Sequence, residues 1–303
     1  MTIDRRSLLA LLGASIAAPA RGQDREDPFE GGIGGTGIVG TLTALGSIRV
    51  NGLRLGFAQG LRVRTAYGDV APSALAQGMS LSARAVRAAD GTYATRDVSI
   101  DWQLVGTVRE LRGGRFTVNG SPVRAERGAL GRPVEGERAA VSGVWEGGTL
   151  VASRVEPAPH PLDLVAGTAG DGRIGGAPID ARVDPGSYVT ALGRGEDGGL
   201  RVERADVGRA AFAAGIGALA VEGYLDRIAA APGFRLSGLG HRFAPDLSLA
   251  PLAGRRAVYA GPYDGRFSAR AGYVLPEGLG ARRLALAGGI GPGFGGRVVR
   301  TRD

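Results

Sequence analysis

From Gly40 onward the chain alternates apolar and polar residues in short runs cut by glycines, the period of a half-buried β-strand and not of a helix. In "TLTALGSIRVNGLRL" and "GRFTVNGSPVR" the alternation continues across an Asn-Gly pair, which accepts the positive φ angles of a two-residue hairpin turn. Asn51-Gly52 and Asn119-Gly120 therefore predict hairpins, following Val50 and Val118, and the asparagines are read as turn residues rather than ligand-binding groups. Phe116 and Val118 share one face of a strand and Val141 belongs to the same apolar set, so each strand offers one side to a core.

The pattern recurs in a fixed order. A strand begins at Gly40, Gly106, Gly167 and Gly223 and leads into a turn; then come "LAQGMSLSARAV", "VEGERAAVSGVW", "DPGSYVTALGR" and "LAGRRAVYAGPY". Last come "YATRDVSI", "LVASRVE", "LRVERADV" and "FSARAGYVL". Units of roughly 50 to 70 residues are marginal alone and gain from closing into barrels or packing on neighbours. The expected fold is all-β, with about four small barrel-like modules in tandem, joined by short Pro/Gly-rich linkers. The modules are placed at residues 40–103, 104–160, 161–208 and 209–280, with a glycine-rich lead-in at 21–39 and a glycine-rich basic tail at 281–303. "EPAPHPLDL" reads as a stiff linker, and "RAAFAAGIGALAV" as either a short broken helix or a buried connector.

Within "GGIGGTGIVG" the spacing G-x-G-x-x-G occurs twice. It signifies a dinucleotide site only between a strand and a helix whose N-terminus holds the phosphates. Here a polar stretch precedes it and a β pattern follows, so no nucleotide cofactor is expected.

Residues 1–20 read as an export signal: the paired Arg5 and Arg6, an apolar run from Leu8 to Ala18, and small residues at Ala18-Pro19-Ala20. The arginine pair followed by Ser7-Leu8-Leu9 resembles a twin-arginine signal, and an ordinary secretory signal is the alternative. No stretch reaches the ~20 apolar residues of a membrane-spanning helix. The chain has no cysteine, so its core alone must hold the fold. Net charge is +8, and every basic side chain other than the two histidines is arginine. Arginine's planar fork suits phosphate or carboxylate, although these arginines are scattered rather than grouped.

Candidate chemistry is sparse. His160 and His241 are far apart, with no cysteine to complete a metal site. "GEDGGL" offers Glu196 and Asp197 as the nearest approach to a calcium loop, and reads as a solvated turn. The pairs Glu135/Glu137 and Glu222/Asp226 fall in strands or turns, and no nucleophile elbow, P-loop lysine or Schiff-base lysine exists. Trp102, Trp145, Tyr188 and Tyr259 lie in apolar strands and are expected in the core. No catalytic, cofactor-binding or metal-binding residue is assigned, and no cofactor.

An export signal, the lead-in "GGIGGTGIVGT" and units of the form "GTVRELRGGRFTVNGSPVR…VEGERAAVSGVW…LVASRVE" together resemble the exported bacterial proteins carrying domain of unknown function 5666. The resemblance covers Gly32 to Glu156 well and the later modules less closely. It implies small barrels of OB-like type and brings no reaction with it. The function expected on these grounds is that of a non-enzymatic structural or interaction protein of the bacterial envelope, periplasmic or secreted, with an envelope protein as partner. Binding of an anionic polymer is the first alternative and hydrolysis the second.

Overall fold

The structure, a computed structural model, describes residues 35–45, 48–87, 92–196, 198–212, 215–228, 233–240, 242–243, 250–287 and 298–300. The expected export signal with Arg5 and Arg6 lies outside them, as do Gly31–Gly34, Asp197 and His241.

The first module contains β1 (Gly35–Ala44), β2 (Arg49–Val50), β3 (Leu53–Thr65), the short β4 (Gly68–Val70), β5 (Ser80–Arg87) and β6 (Tyr93–Ile100). β1 pairs β2 and β2 pairs β3; β3 runs parallel to β6, β6 pairs β5, and β5 returns to β1, so the sheet closes on itself. The second contains β7 (Leu104–Arg112), β8 (Arg115–Val118), β9 (Ser121–Leu130), β10 (Arg138–Glu146) and β11 (Thr149–Pro157). It closes by the same path, with β9 parallel to β11 and β10 back on β7. Closure removes the free edges that a short sheet would otherwise expose.

The strands of the expected third module are β12 (Asp163–Gly170), β13 (Arg173–Ile174), β14 (Ala177–Pro178), β15 (Tyr188–Glu196) and β16 (Gly199–Val207). β15 joins β12 to β16, and a single parallel bridge, Ile179 to Leu200, carries the path round. The fourth has β17 (Ile216–Arg227), β18 (Phe234–Leu236), β19 (Arg242–Phe243), β20 (Arg256–Pro262), β21 (Arg266–Phe267) and β22 (Ala271–Val274). β17 pairs β18 and β20, β20 pairs β22, and β19 runs parallel to β21. β1 lies parallel to β17, and β7 antiparallel to β12, so modules one and four share one extended sheet and modules two and three another.

Both Asn-Gly turns form, with φ of 56° and 75° at Asn51 and Gly52 and 49° and 71° at Asn119 and Gly120. Their side chains do further work. Asn51 Nδ2 donates to Val39 O (2.7 Å) and Ala220 O (3.0 Å); Asn119 Nδ2 donates to Val105 O (3.0 Å) and Leu164 O (3.4 Å). Each amide bridges carbonyls of two adjoining strands from different modules, satisfying buried acceptors that would otherwise cost about 1–3 kcal/mol apiece. The glycine that opens each module makes room for this: a Cβ on Gly40 would lie 1.9 Å from Asn51 Oδ1, and one on Gly106 2.5 Å from Asn119 Oδ1. In the third module Trp145 Nε1 reaches the equivalent carbonyl, Ala166 O, at 2.9 Å. In the fourth, Leu236 fills the space over Gly223.

The three larger apolar cores do not follow the modules one to one, since Val165, Ile174 and Val189 of the third share the core of the second. Ile38, Leu42, Leu81 and Val98 anchor the first, Leu104, Phe116 and Leu150 the second, and Leu225, Tyr259 and Phe267 the last. Val105, Leu164 and Tyr188 join the first core from the other sheet, so the two sheets pack as one body. Ser80 Oγ to Gly143 O (2.9 Å) and Ser153 Oγ to Gly78 O (2.7 Å) stitch the contact.

Three expectations change. Gly35–Val39, assigned to a flexible lead-in, is the first half of β1, because its backbone is paired with β5 on one side and β17 on the other. The segment at 209–221 is a 3₁₀ turn, Ala210–Phe212, and then the start of β17. The expected tail instead contains α1 (Leu279–Leu286) and β23 (Val298–Arg300), which pairs β22. α1 is held because Leu279 and Leu286 are buried and because Arg282, wholly buried between them, bonds both oxygens of Glu126.

Candidate functional site

A cavity of about 500 Å³ opens where the first, third and fourth modules meet. The first module contributes the turn after β3 and the segment Ser99–Trp102; the third contributes β15 and the end of β16; the fourth contributes Arg209–Phe212 and Tyr263. The segment Asp101–Gln103, between β6 and β7, is held by hydrogen bonds. Asp101 N donates to Ser80 O (2.9 Å), Gln103 Nε2 to Asp101 O (2.7 Å), and Gly143 N to Gln103 Oε1 (2.7 Å). Trp102 is thereby fixed with its indole Nε1 donating to Glu156 (2.8 Å), whose other oxygen takes Arg154 Nε (2.6 Å).

Arg209 forms the inner wall. Its guanidinium donates to Asp101 Oδ2 (2.8 Å) and Gly238 O (2.8 Å) and stacks 3.7 Å from the centroid of Tyr188. Both partners of this ion pair are nearly buried, so neither charge can be stranded cheaply. Burial pushes the Tyr188 phenol up to about 12, with the Arg209 cation pulling against it. At the exposed rim, Arg204 pairs with Asp206 (2.9 Å) and donates to Ala66 O (3.1 Å), tying the third module to the first. Two arginines thus meet two aspartates, and the remaining surface is largely aromatic or small: Trp102, Phe212, Tyr263 and Ala166 among others.

Behind this wall Tyr67 stacks on His160 (centroids 4.5 Å apart) and donates to Leu162 O (2.9 Å). His160 Nδ1 accepts from Leu162 N (3.1 Å), which fixes the loop it stands in. Glu196 ends β15 and faces Arg201 at 3.6 Å. Glu135 accepts from the backbone N–H groups of Glu110 and Leu111 and pins a loop. Glu222 and Asp226 are not an acid pair: the first is locked between Arg256 and Arg282, the second against Ser237 Oγ. Among the described residues no three His, Cys, Asp or Glu side chains gather where a metal could sit. Of the four aromatics expected in the core, all are buried, and Trp102 and Tyr188 also line the cavity. Arg209 and Asp101 are 108 residues apart, so no local pattern joins them; the only trace in the sequence is a polar-aromatic "DWQ" interrupting the strand pattern.

No protein-family model matches this chain, and no solved structure matches it. A curated relative, the ribosomal protein L11 methyltransferase of Chelativorans sp. (strain BNC1), is 30% identical over 213 residues. The match takes in 64% of this chain and 66% of the relative, just short of two thirds of the relative's length. It corrects the expectation of a non-enzymatic interaction protein or polymer-binding module, since the relative bears the name of an enzyme.

Proposed function

We propose that this protein binds a small, flat, predominantly apolar molecule in the cavity between its modules. The observation that carries the reading is the lining: Trp102, Phe212 and Tyr263 with small and aliphatic residues around about 500 Å³, with the charged groups named above neutralised in pairs. Sites of this size with apolar walls and a few fixed polar groups are the usual places for small-molecule recognition. The test is equilibrium binding of a panel of planar compounds to the wild type and to Ala66→Trp, which fills the mouth from a half-buried position. Binding lost in the variant supports the reading, and binding that persists unchanged sinks it.

The relative's name favours a second reading, methyl transfer to a protein. A methyl donor with a nucleoside part would need a cradle, and the residues do not fit one in the glycine run. Gly35–Gly40 is a strand paired on both sides, and a Cβ on Gly37 would already meet Leu219 at 2.6 Å and Phe212 at 2.9 Å. In the cavity the carboxylates that would hold a ribose are taken by Arg204 and Arg209. The direct assay is incubation with a labelled sulfonium methyl donor and ribosomal protein L11; incorporated label establishes this reading, and background counts dismiss it.

Two further readings accompany the first. The four modules are copies of one OB-like unit, supported by the shared strand path of the first two barrels and the parallel bridge that extends it to the third. Residues 1–20 direct export through Arg5 and Arg6 to the periplasm or beyond, in the manner of the proteins with domain of unknown function 5666; loss of export on replacing both arginines by lysine tests it.

A further inference from the structure

We propose that one end of the first barrel docks on an anionic lipid surface. Between Phe57 and Arg62, β3 takes five residue steps while its partner β6 takes two, Thr95 to Asp97, so the intervening chain bulges out of the barrel. Phe57, at the start of this bulge, is 38% exposed. Ala44 pairs with Arg49 and Arg49 with Arg54, which sets the end of β1 beside this part of β3; the next residue, Leu45, is 49% exposed. Leu55 pairs with Tyr93 and Tyr93 with Arg87, bringing a third strand end to the same place.

The apolar tip has a basic collar. Arg54, Arg62 and Arg87 are all exposed around it. The first barrel carries seven arginines, and its described acids are Asp69, Asp97 and Asp101, of which the last two are held by Arg64 and Arg209. Arg49 directly opposite Arg54 is a like-charge pair that a bare sheet would disfavour and a negative surface would relieve. Exposed apolar side chains ringed by cations suit the boundary between head groups and acyl chains, where apolar burial and attraction to anionic lipid act together. This surface is separate from the cavity and does not depend on what the cavity binds.

Co-sedimentation of the full chain with vesicles of phosphatidylcholine and phosphatidylglycerol, against vesicles of phosphatidylcholine alone, tests the proposal. Binding is expected only where the anionic lipid is present and should weaken with salt. Phe57→Asp should lower the bound fraction by at least about fivefold, as should Arg54→Glu with Arg62→Glu. Phe57→Ser serves if the aspartate variant melts early. Leu284→Asp, on the exposed side of α1, should bind as the wild type does. No sedimentation with either vesicle, or equal binding by the Phe57 variants, overturns the proposal. So does a single-stranded oligonucleotide that displaces the vesicles and binds Phe57→Asp undiminished, since the surface would then be a nucleic-acid site.

Discussion

The Arg209 guanidinium lies 3.7 Å over the ring of Tyr188 while donating to Asp101 at 2.8 Å, so one cation ties residues from three modules around the cavity. Removing it leaves the Asp101 carboxylate nearly buried and alone. Arg209→Ala should therefore cost about 3–5 kcal/mol of stability, read by chemical denaturation. Arg209→Lys keeps the charge but loses the flat stacking face and the fixed fork, and should fall between. A loss below the scatter of ordinary surface substitutions would show that the junction is not held this way.

A second buried cluster joins β1, β9, β17, β20 and α1. Glu126 and Glu222 meet Arg256 and Arg282, with Arg256 also donating to Thr41 Oγ1 at 3.0 Å. Arg282→Ala takes one of two cations from two buried carboxylates and should cost about 3–5 kcal/mol. It should also release α1, detected as new protease cutting in the helix. Replacement by methionine removes the same charge but keeps some volume, and should loosen α1 as well.

That cluster makes the fold acid-sensitive. Burial pushes the Glu222 carboxyl up, but Arg256, Arg282 and the Thr41 N–H outweigh it and hold the group below its ordinary value of 4.5. A folded-state pKa below the unfolded one contributes stability that is present above the unfolded value and lost as pH falls through the folded one. Denaturation midpoints should thus drop below about pH 4.5, and Glu222→Gln should flatten that limb while lowering stability at neutral pH.

Tyr188 acts in the opposite window. Its phenol titrates at about 12 instead of 10.0, chiefly through burial, so its contribution is full below pH 10 and lost as pH rises through about 12. Tyr67 and Tyr259 are shifted upward as well, again first through burial. Phenolate absorbance should accordingly show at least three tyrosines ionising late, and Tyr188→Phe should remove one of them. Tyr263 is shifted upward too, so a number of late steps unchanged between wild type and variant would place Tyr188 in water.

Asn51→Ala should cost about 2–4 kcal/mol, because it strands the carbonyls of Val39 and Ala220 and leaves a void over Gly40. Gly40→Ala should be as damaging for the opposite reason, overfilling the same space. Thermal unfolding of the two variants checks both.

The hairpins could be read in the sequence because their cause is local: alternation, then an Asn-Gly pair that tolerates positive φ. The second task of Asn51, reaching Ala220 across 169 positions, has no local trace. Gly35–Val39 looked like a flexible lead-in because glycine hides the alternation; its strand state is dictated by β5 and β17, neither nearby in sequence. The helix at Leu279–Leu286 is short and sits before a glycine run, and what holds it is Glu126, 156 residues away from Arg282. The cavity follows the same rule: its walls come from three modules, and only the "DWQ" interruption hinted at it.

The central claim is tested most directly by a thermal-shift screen of planar small molecules on the wild type and on Ala66→Trp, each at low and high salt. A ligand of the folded state raises Tm by linkage. The account predicts hits on the wild type that persist in salt and vanish in Ala66→Trp. A flat screen, shifts shared equally by both proteins, or hits that fade with salt would contradict it.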